Sequence, residues 1–356
     1  MTVDGLEADQ PISTAPTRSR GVVDRLLTLV DRFPGPSSVW FVLFAVALVA
    51  VATAWIWVTG ARPVGQLDPE VIPPALMLAY FLWLIHLLNR IAGSSFDAFR
   101  PALGAGASEQ DRYRLALTSI PDRVALAAVL VVEVVLNVSY FGTIRPLRPP
   151  LPVTVELASA ILYALVAASI GLLVVHDIRQ LRLVSRLSAL AANVDIFKPA
   201  PLTALSRLTA ATAIGIITFV AVYALTAGIT VPTAEQAALP VFIAEEIVMS
   251  AFAVASFVLP LRVMHARLVE EKVVLLGAAQ DRLKATLGRL HATVEANDMS
   301  NADQLNKTIS SVLAERDVLL KLPTWPWSTG TFRGVATAVL LPIVIFVITR
   351  LIDQLI

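Results

Sequence analysis

Residues 123–143 read RVALAAVLVVEVVLNVSYFGT, with one base at the first position and one acid, Glu133, in the middle. The rest of the stretch is apolar or neutral. A helix rising 1.5 Å per residue needs about 20 such residues to cross a hydrocarbon core of ~30 Å. A lone strand there would leave its amides and carbonyls without partners, so the segment reads as a membrane-spanning helix. Working outward, 39–59, 72–92, 154–176, 208–230, 239–261 and 334–352 qualify on the same grounds. The expected fold is therefore all-α, a polytopic membrane helical bundle of about seven transmembrane helices.

The whole chain agrees with that stretch. Of its 356 residues, 56% are hydrophobic and only 15% charged, whereas a soluble domain carries about 25% charged residues. Only Arg90, Arg123, Glu133, Glu156, Glu245, Glu246 and Arg350 bring charge into the seven stretches. The net charge of +1 offers no basic surplus for nucleic acid. Disulfides, thiol nucleophiles, Cys-ligated zinc and iron–sulfur clusters are excluded because the chain has no cysteine.

Placing the N-terminus in the cytoplasm puts 22 of the 28 bases in inner segments and 3 in outer loops. The positive-inside rule then predicts the C-terminus outside, as in a multi-pass protein of a bacterial inner membrane. The first span starts almost forty residues in, after five acids, which does not fit a cleavable signal peptide.

Residues 1–20 lack periodicity and read as a disordered tail. Residues 21–36 alternate apolar side chains with Asp24, Arg25, Asp31 and Arg32, as an interfacial amphipathic helix would. The six-span bundle covers 37–261. Its fourth span is expected to continue inward through 177–194, where Arg179, Arg182 and Arg186 form a basic stripe suited to anionic lipid.

Residues 262–322 carry two amphipathic runs, Leu276-Ala279-Leu283-Leu287-Leu290-Val294 and Ala302-Leu305-Ile309-Val312-Leu319. They predict a cytoplasmic helical hairpin, with Ser300 and Asp303 placed as a capping box. Its arms are unequal, so part of the longer one needs a partner: the 177–194 helix, another subunit, or another membrane or cytoplasmic protein. Glu270, Glu271 and Lys272 read as a solvated charge run. The chain then re-enters the membrane in 323–356. There Trp325 and Trp327, flanked by Pro323 and Pro326, suit an interfacial anchor. A hinge coupling the hairpin to the last span is the alternative.

Ionisable groups within a span cost roughly 2.5–3.5 kcal/mol each on insertion scales and mark candidate sites. Glu133 and Asn137 share a helix face, four residues apart, and Glu133 must face protein or water. Glu245 and Glu246 lie in the outer half of the sixth span, with Arg350 the nearest basic partner by depth. His86, Asn89 and Arg90 cluster in the inner half of the second span, and His176 and Asp177 end the fourth. Glu133, Glu246 and His86 are candidates for a proton or cation relay; the competing reading is interhelical hydrogen bonding.

No HExxH, GxxxxGK[ST] or GxSxG motif occurs, and the four histidines are scattered. These readings favour a non-enzymatic membrane protein without a cofactor, whose hairpin serves assembly, scaffolding or signal coupling. A channel or a proton- or cation-coupled transporter stands as the alternative.

Overall fold

A computed structural model of the chain describes residues 21–144, 150–230, 239–296 and 300–340. Side chains are described there except at 143–144, 224–230, 239–243, 245 and 246. Among the described residues the fold is helical throughout, with no strand and a single isolated backbone bridge, Leu103–Ala191. Six segments among the described residues are long and apolar enough to cross a membrane.

The helices run in chain order as α1 (Val22–Val30), α2 (Ser37–Val58), α3 (Ile72–Phe99), α4 (Ala107–Thr118) and α5 (Asp122–Ser139). They continue as α6 (Val153–Leu190), α7 (Pro199–Thr230), α8 (Leu239–Val258), α9 (Arg262–Glu295) and α10 (Ala302–Lys321). A last helix, α11, runs from 329 to 340, where the description stops. The seventh expected span, 334–352, is thus described only at its start, and Arg350 lies outside the described residues.

α3 is the centre of the bundle. Leu78, Phe81, Leu84, Ile85, Leu88, Ala92, Phe96 and Phe99 are all buried along it. α2, α6, α7 and α4 pack around it. The Tyr80 hydroxyl donates to the Gly215 carbonyl of α7 at 2.6 Å, so a polar tip within the bundle is satisfied by a neighbouring backbone. α8 lies against α7, and α5 lies against α6. The α5–α6 approach is close because α6 has Gly171 at the crossing. A Cβ there would stand 2.9 Å from the Ala128 carbonyl oxygen.

Two helices outrun the bilayer. At 38 residues, α6 is about 57 Å long by helix rise, almost twice the hydrocarbon thickness. α3, with 28 residues, also overshoots. Their projecting ends meet α4, a short helix absent from the sequence reading, at one end of the bundle. Arg114 reaches Asp97 of α3 through Nε at 3.1 Å and Nη2 at 3.2 Å, and Gln180 Nε2 donates to the Leu117 carbonyl at 2.8 Å. The Ala192 amide donates to the Ala102 carbonyl at 2.9 Å, joining the C-terminal ends of α3 and α6.

α1 is amphipathic, as expected, and it is also tied down. The Asp24 carboxylate accepts from the Ile120 amide at 3.2 Å, and Asp122 Oδ1 accepts from the Val22 amide at 2.8 Å. Each acid thus serves a backbone donor at the start of the other's helix. These bonds hold α1 against the start of α5.

Candidate functional site

Four places hold the polar and exposed groups that a function needs. The first is the Glu133–Asn137 pair on α5. Asn137 Nδ2 donates to Glu133 Oε2 at 3.0 Å and to the Glu133 carbonyl at 2.7 Å. Burial is slight on this helix: 6% of its most apolar stretch, against 56% for that of α7. Glu133 is half-buried at the edge of the α6 contact, and Asn137 is exposed. Of the protein- or water-facing position expected for Glu133, the chain itself provides a half-buried one beside α6.

The second place lies at the α4 end of the bundle. His86 is buried, with Nε2 3.3 Å from Asp31 Oδ1 and its ring against Phe41. His176 Nε2 lies 2.8 Å from Asn89 Oδ1, an imidazole N–H meeting an amide oxygen. Asp177 is fully buried, and neither carboxyl oxygen has a hydrogen-bond partner among the described residues. Leu173, His176, Asp177, Gln180 and Val184 sit on one buried arc of α6. Sequence reading placed His176 and Asp177 at this interface but did not select them. A lone aspartate at a predicted span end is ordinary; its complete burial comes from the overshoot of α6 and the packing of α4.

Glu133 and His86 are thus not brought together: one has Asn137 as its partner and the other Asp31. The side chains of Glu245 and Glu246 lie outside the described residues, although both positions belong to α8.

The third place is the root of α9, where three chemistries converge. A three-residue 3-10 turn, Leu259–Leu261, joins α8 to α9 with almost no interruption. Arg267 Nη1 donates to the Ser188 and Ala189 carbonyls at 3.2 and 3.0 Å, capping the C-terminus of α6, where four carbonyls lack helical partners. Lys272 Nζ does the same for α10, reaching the Leu320 and Leu322 carbonyls at 2.8 and 2.7 Å. Lys272 therefore acts as a cap, a correction to its reading as part of a solvated run. Beside these caps, aromatic rings stack in a column. His265 lies on Trp325 at 4.0 Å, Trp325 on Trp327 at 4.3 Å, and Trp327 on Phe257 of α8 at 5.1 Å.

Trp325 and Trp327, expected as an interfacial anchor, join the root of α9 to α8. The basic stripe lies on the other face of α6. There Arg182 and Arg186 are exposed, while Arg179 is half-buried.

The fourth place is the distal part of α9. α10 runs back along it, held by Arg282 to Glu315 at 2.7 Å, and the two amphipathic stripes face each other. Ala279, Val312 and Leu319 are buried between them, but Leu283, Leu287, Leu305 and Ile309 are only half-buried. An open groove lined by Gln280, Leu283, Lys284, Leu287, Gly288 and His291 remains. Asn301 holds the N-cap position without a side-chain cap, and Asp303 pairs with Lys307 at 2.7 Å.

Together these features define an all-helical, multi-pass membrane protein. No known family matches the chain, and no curated protein or solved structure is similar enough to match it.

Proposed function

We propose that the chain is a non-enzymatic inner-membrane protein of a bacterium, with seven spans, an N-terminus in the cytoplasm and a C-terminus outside. Residues 262–322 are its cytoplasmic helical hairpin, serving assembly, scaffolding or signal coupling. The observation that carries this reading is the root of α9. Arg267 binds the end of α6, and the Trp325–Trp327 column ties α9 to Phe257 of α8. A displacement of either span is thereby transmitted to the hairpin. The distal groove between Leu283 and His291 supplies a surface for a membrane or cytoplasmic protein or a second copy of the chain. Arg182 and Arg186 add attraction to anionic lipid, worth about 1 kcal/mol per base near the surface.

Gly288→Cys tests the placement, since a Cβ at Gly288 meets nothing within 4 Å. A membrane-impermeant maleimide is expected to label it in inverted vesicles and not in intact cells. Labelling in intact cells would put the hairpin outside and end this reading.

The second reading, a channel or a proton- or cation-coupled transporter, rests on Asp177. A buried carboxyl group without a partner is costly to keep unless it serves a purpose. Flux in proteoliposomes that disappears in Asp177→Asn would favour it; absence of pH- or cation-driven flux in the unaltered chain would remove it.

A further inference from the structure

Two bases at the α4 end of the bundle are matched by acids. Arg100 pairs with Asp111 at 3.4 Å, and Arg114 with Asp97 at 3.1 Å. Arg112, Arg182 and Arg186 are exposed, and no carboxylate among the described residues pairs with them. They come from two helices that lie side by side. α4 packs along α6, with the Leu117 carbonyl on Gln180. One α4 turn away, Tyr113 feels the charges of both Arg112 and Arg186. The acid at that place, Glu109, is engaged by the Tyr113 hydroxyl at 2.9 Å. The carbonyls at the end of α6, which would otherwise draw a base, are capped by Arg267. Arg182 and Arg186 stand one turn apart on one helix, where like charges repel, and Arg112 adds a third charge of the same sign.

The depth of these bases shows what can neutralise them. α1 is bound at its start to Ile120 and Asp122, beside the Leu117–Gln180 contact. It leaves Val22 and Leu26 exposed, as a helix at the edge of the hydrocarbon does. From Gln180, Arg182 is about 3 Å and Arg186 about 9 Å further along the helix axis. The headgroup layer on one side of a bilayer is about 5–8 Å deep, so the two bases span it.

We infer that Arg112, Arg182 and Arg186 form a binding site for the phosphate of an anionic lipid headgroup in the leaflet at the α4 end. The inference rests on the attraction to anionic lipid proposed above for Arg182 and Arg186, and it makes a site of that attraction by adding Arg112 from a second helix. A guanidinium group offers two parallel N–H donors to phosphate oxygens, so bases on two helices hold one phosphate from two sides. A phosphomonoester, which carries up to two charges, suits three such bases better than a diester with one. Phosphatidate is therefore the probe.

Native mass spectrometry of the full chain in a neutral detergent, titrated with phosphatidate and with phosphatidylcholine, reads the binding. One phosphatidate per chain is expected to bind several-fold more tightly than phosphatidylcholine. Arg112→Ala and Arg182→Ala should each weaken phosphatidate about fivefold, the effect of one base near a membrane surface. Arg289→Ala removes an equal charge from an exposed position far along α9 and should leave the affinity unchanged. All three positions are exposed, so folding is retained. An equal loss in Arg289→Ala, or no loss in Arg112→Ala, would overturn the site and leave only general attraction to anionic lipid. Equal binding of phosphatidate and phosphatidylcholine would overturn both. Displacement of phosphatidate by an equal concentration of inorganic phosphate would overturn the lipid as the ligand.

Discussion

His265 lies flat on Trp325, ring centroids 4.0 Å apart and planes 7° from parallel, and its Nδ1–H reaches the Thr324 carbonyl at 3.0 Å. The histidine stands at the first turn of α9 and the tryptophan just beyond the end of α10. One stacked pair thus closes the base of both helices. Trp327 and Phe257 extend the stack onto α8, so the hairpin is clamped where it leaves the bundle.

Trp325→Ala should therefore destabilise the protein beyond the loss of a surface tryptophan. Aromatic pairs contribute about 0.5–1.5 kcal/mol each beyond their buried area, and two pairs are lost at once. A loss of about 2 kcal/mol is expected on that basis, read as a lower melting temperature in detergent. Trp325→Phe, which can still stack, should recover most of it.

The reciprocal caps between α1 and α5 support a second prediction. Asp24→Ala strips the Ile120 amide of its acceptor in a buried position, a penalty of about 1–3 kcal/mol. The effect should be local. A thiol introduced by Val23→Cys, half-buried in the unaltered protein, should react with maleimide faster when Asp24 is replaced. Unchanged reactivity would mean that α1 is held by its apolar face alone.

Glycines on α6 and α9 should respond in opposite directions. Gly171→Ala drives a methyl to within 2.9 Å of the Ala128 carbonyl oxygen, a backbone atom that cannot swing away. Overpacking of this kind costs about 1–3 kcal/mol, and α5 should loosen from α6. Gly277 has open space around it in the middle of α9. There alanine removes only the entropic penalty of glycine in a helix, so a gain of about 0.5–1 kcal/mol is expected. Thermal unfolding of both variants checks the pair.

Asn89→Leu addresses the polar arrangement at the α4 end. His176 would lose its amide acceptor at a fully buried position, again costing about 1–3 kcal/mol. If His176 and Asn89 are only interhelical glue, the melting temperature falls and permeability of proteoliposomes is unchanged. A change in proton or cation flux larger than the loss of folded protein would instead assign the pair to transport.

Much of the fold is legible in the sequence alone. The first six apolar stretches correspond to the six span-like segments, because a run of twenty apolar residues has few alternatives. The amphipathic segments at 22–30 and 262–321 were also readable from their periodicity. α4 was not: ASEQDRYRLALT has scant apolar periodicity, and it is helical because α3 and α6 project far enough to receive it. The site was less legible for a related reason. Glu133 and Asn137 could be paired from their four-residue spacing, but burial of Asp177 depends on contacts remote in sequence. Lys272 and Arg267 look like any solvated bases until the ends of α10 and α6 arrive beside them.

The central claim is that the hairpin moves with the spans that carry it. Spin labels at Gly288→Cys on α9 and Ser108→Cys on α4, both exposed positions, give a distance between hairpin and bundle by pulsed electron resonance in bilayers. One narrow distance is expected in the otherwise unaltered chain, and a broad distribution once Trp325→Ala and Arg267→Ala remove the clamp. A broad distribution in the unaltered chain, or one indifferent to both substitutions, would contradict the coupling.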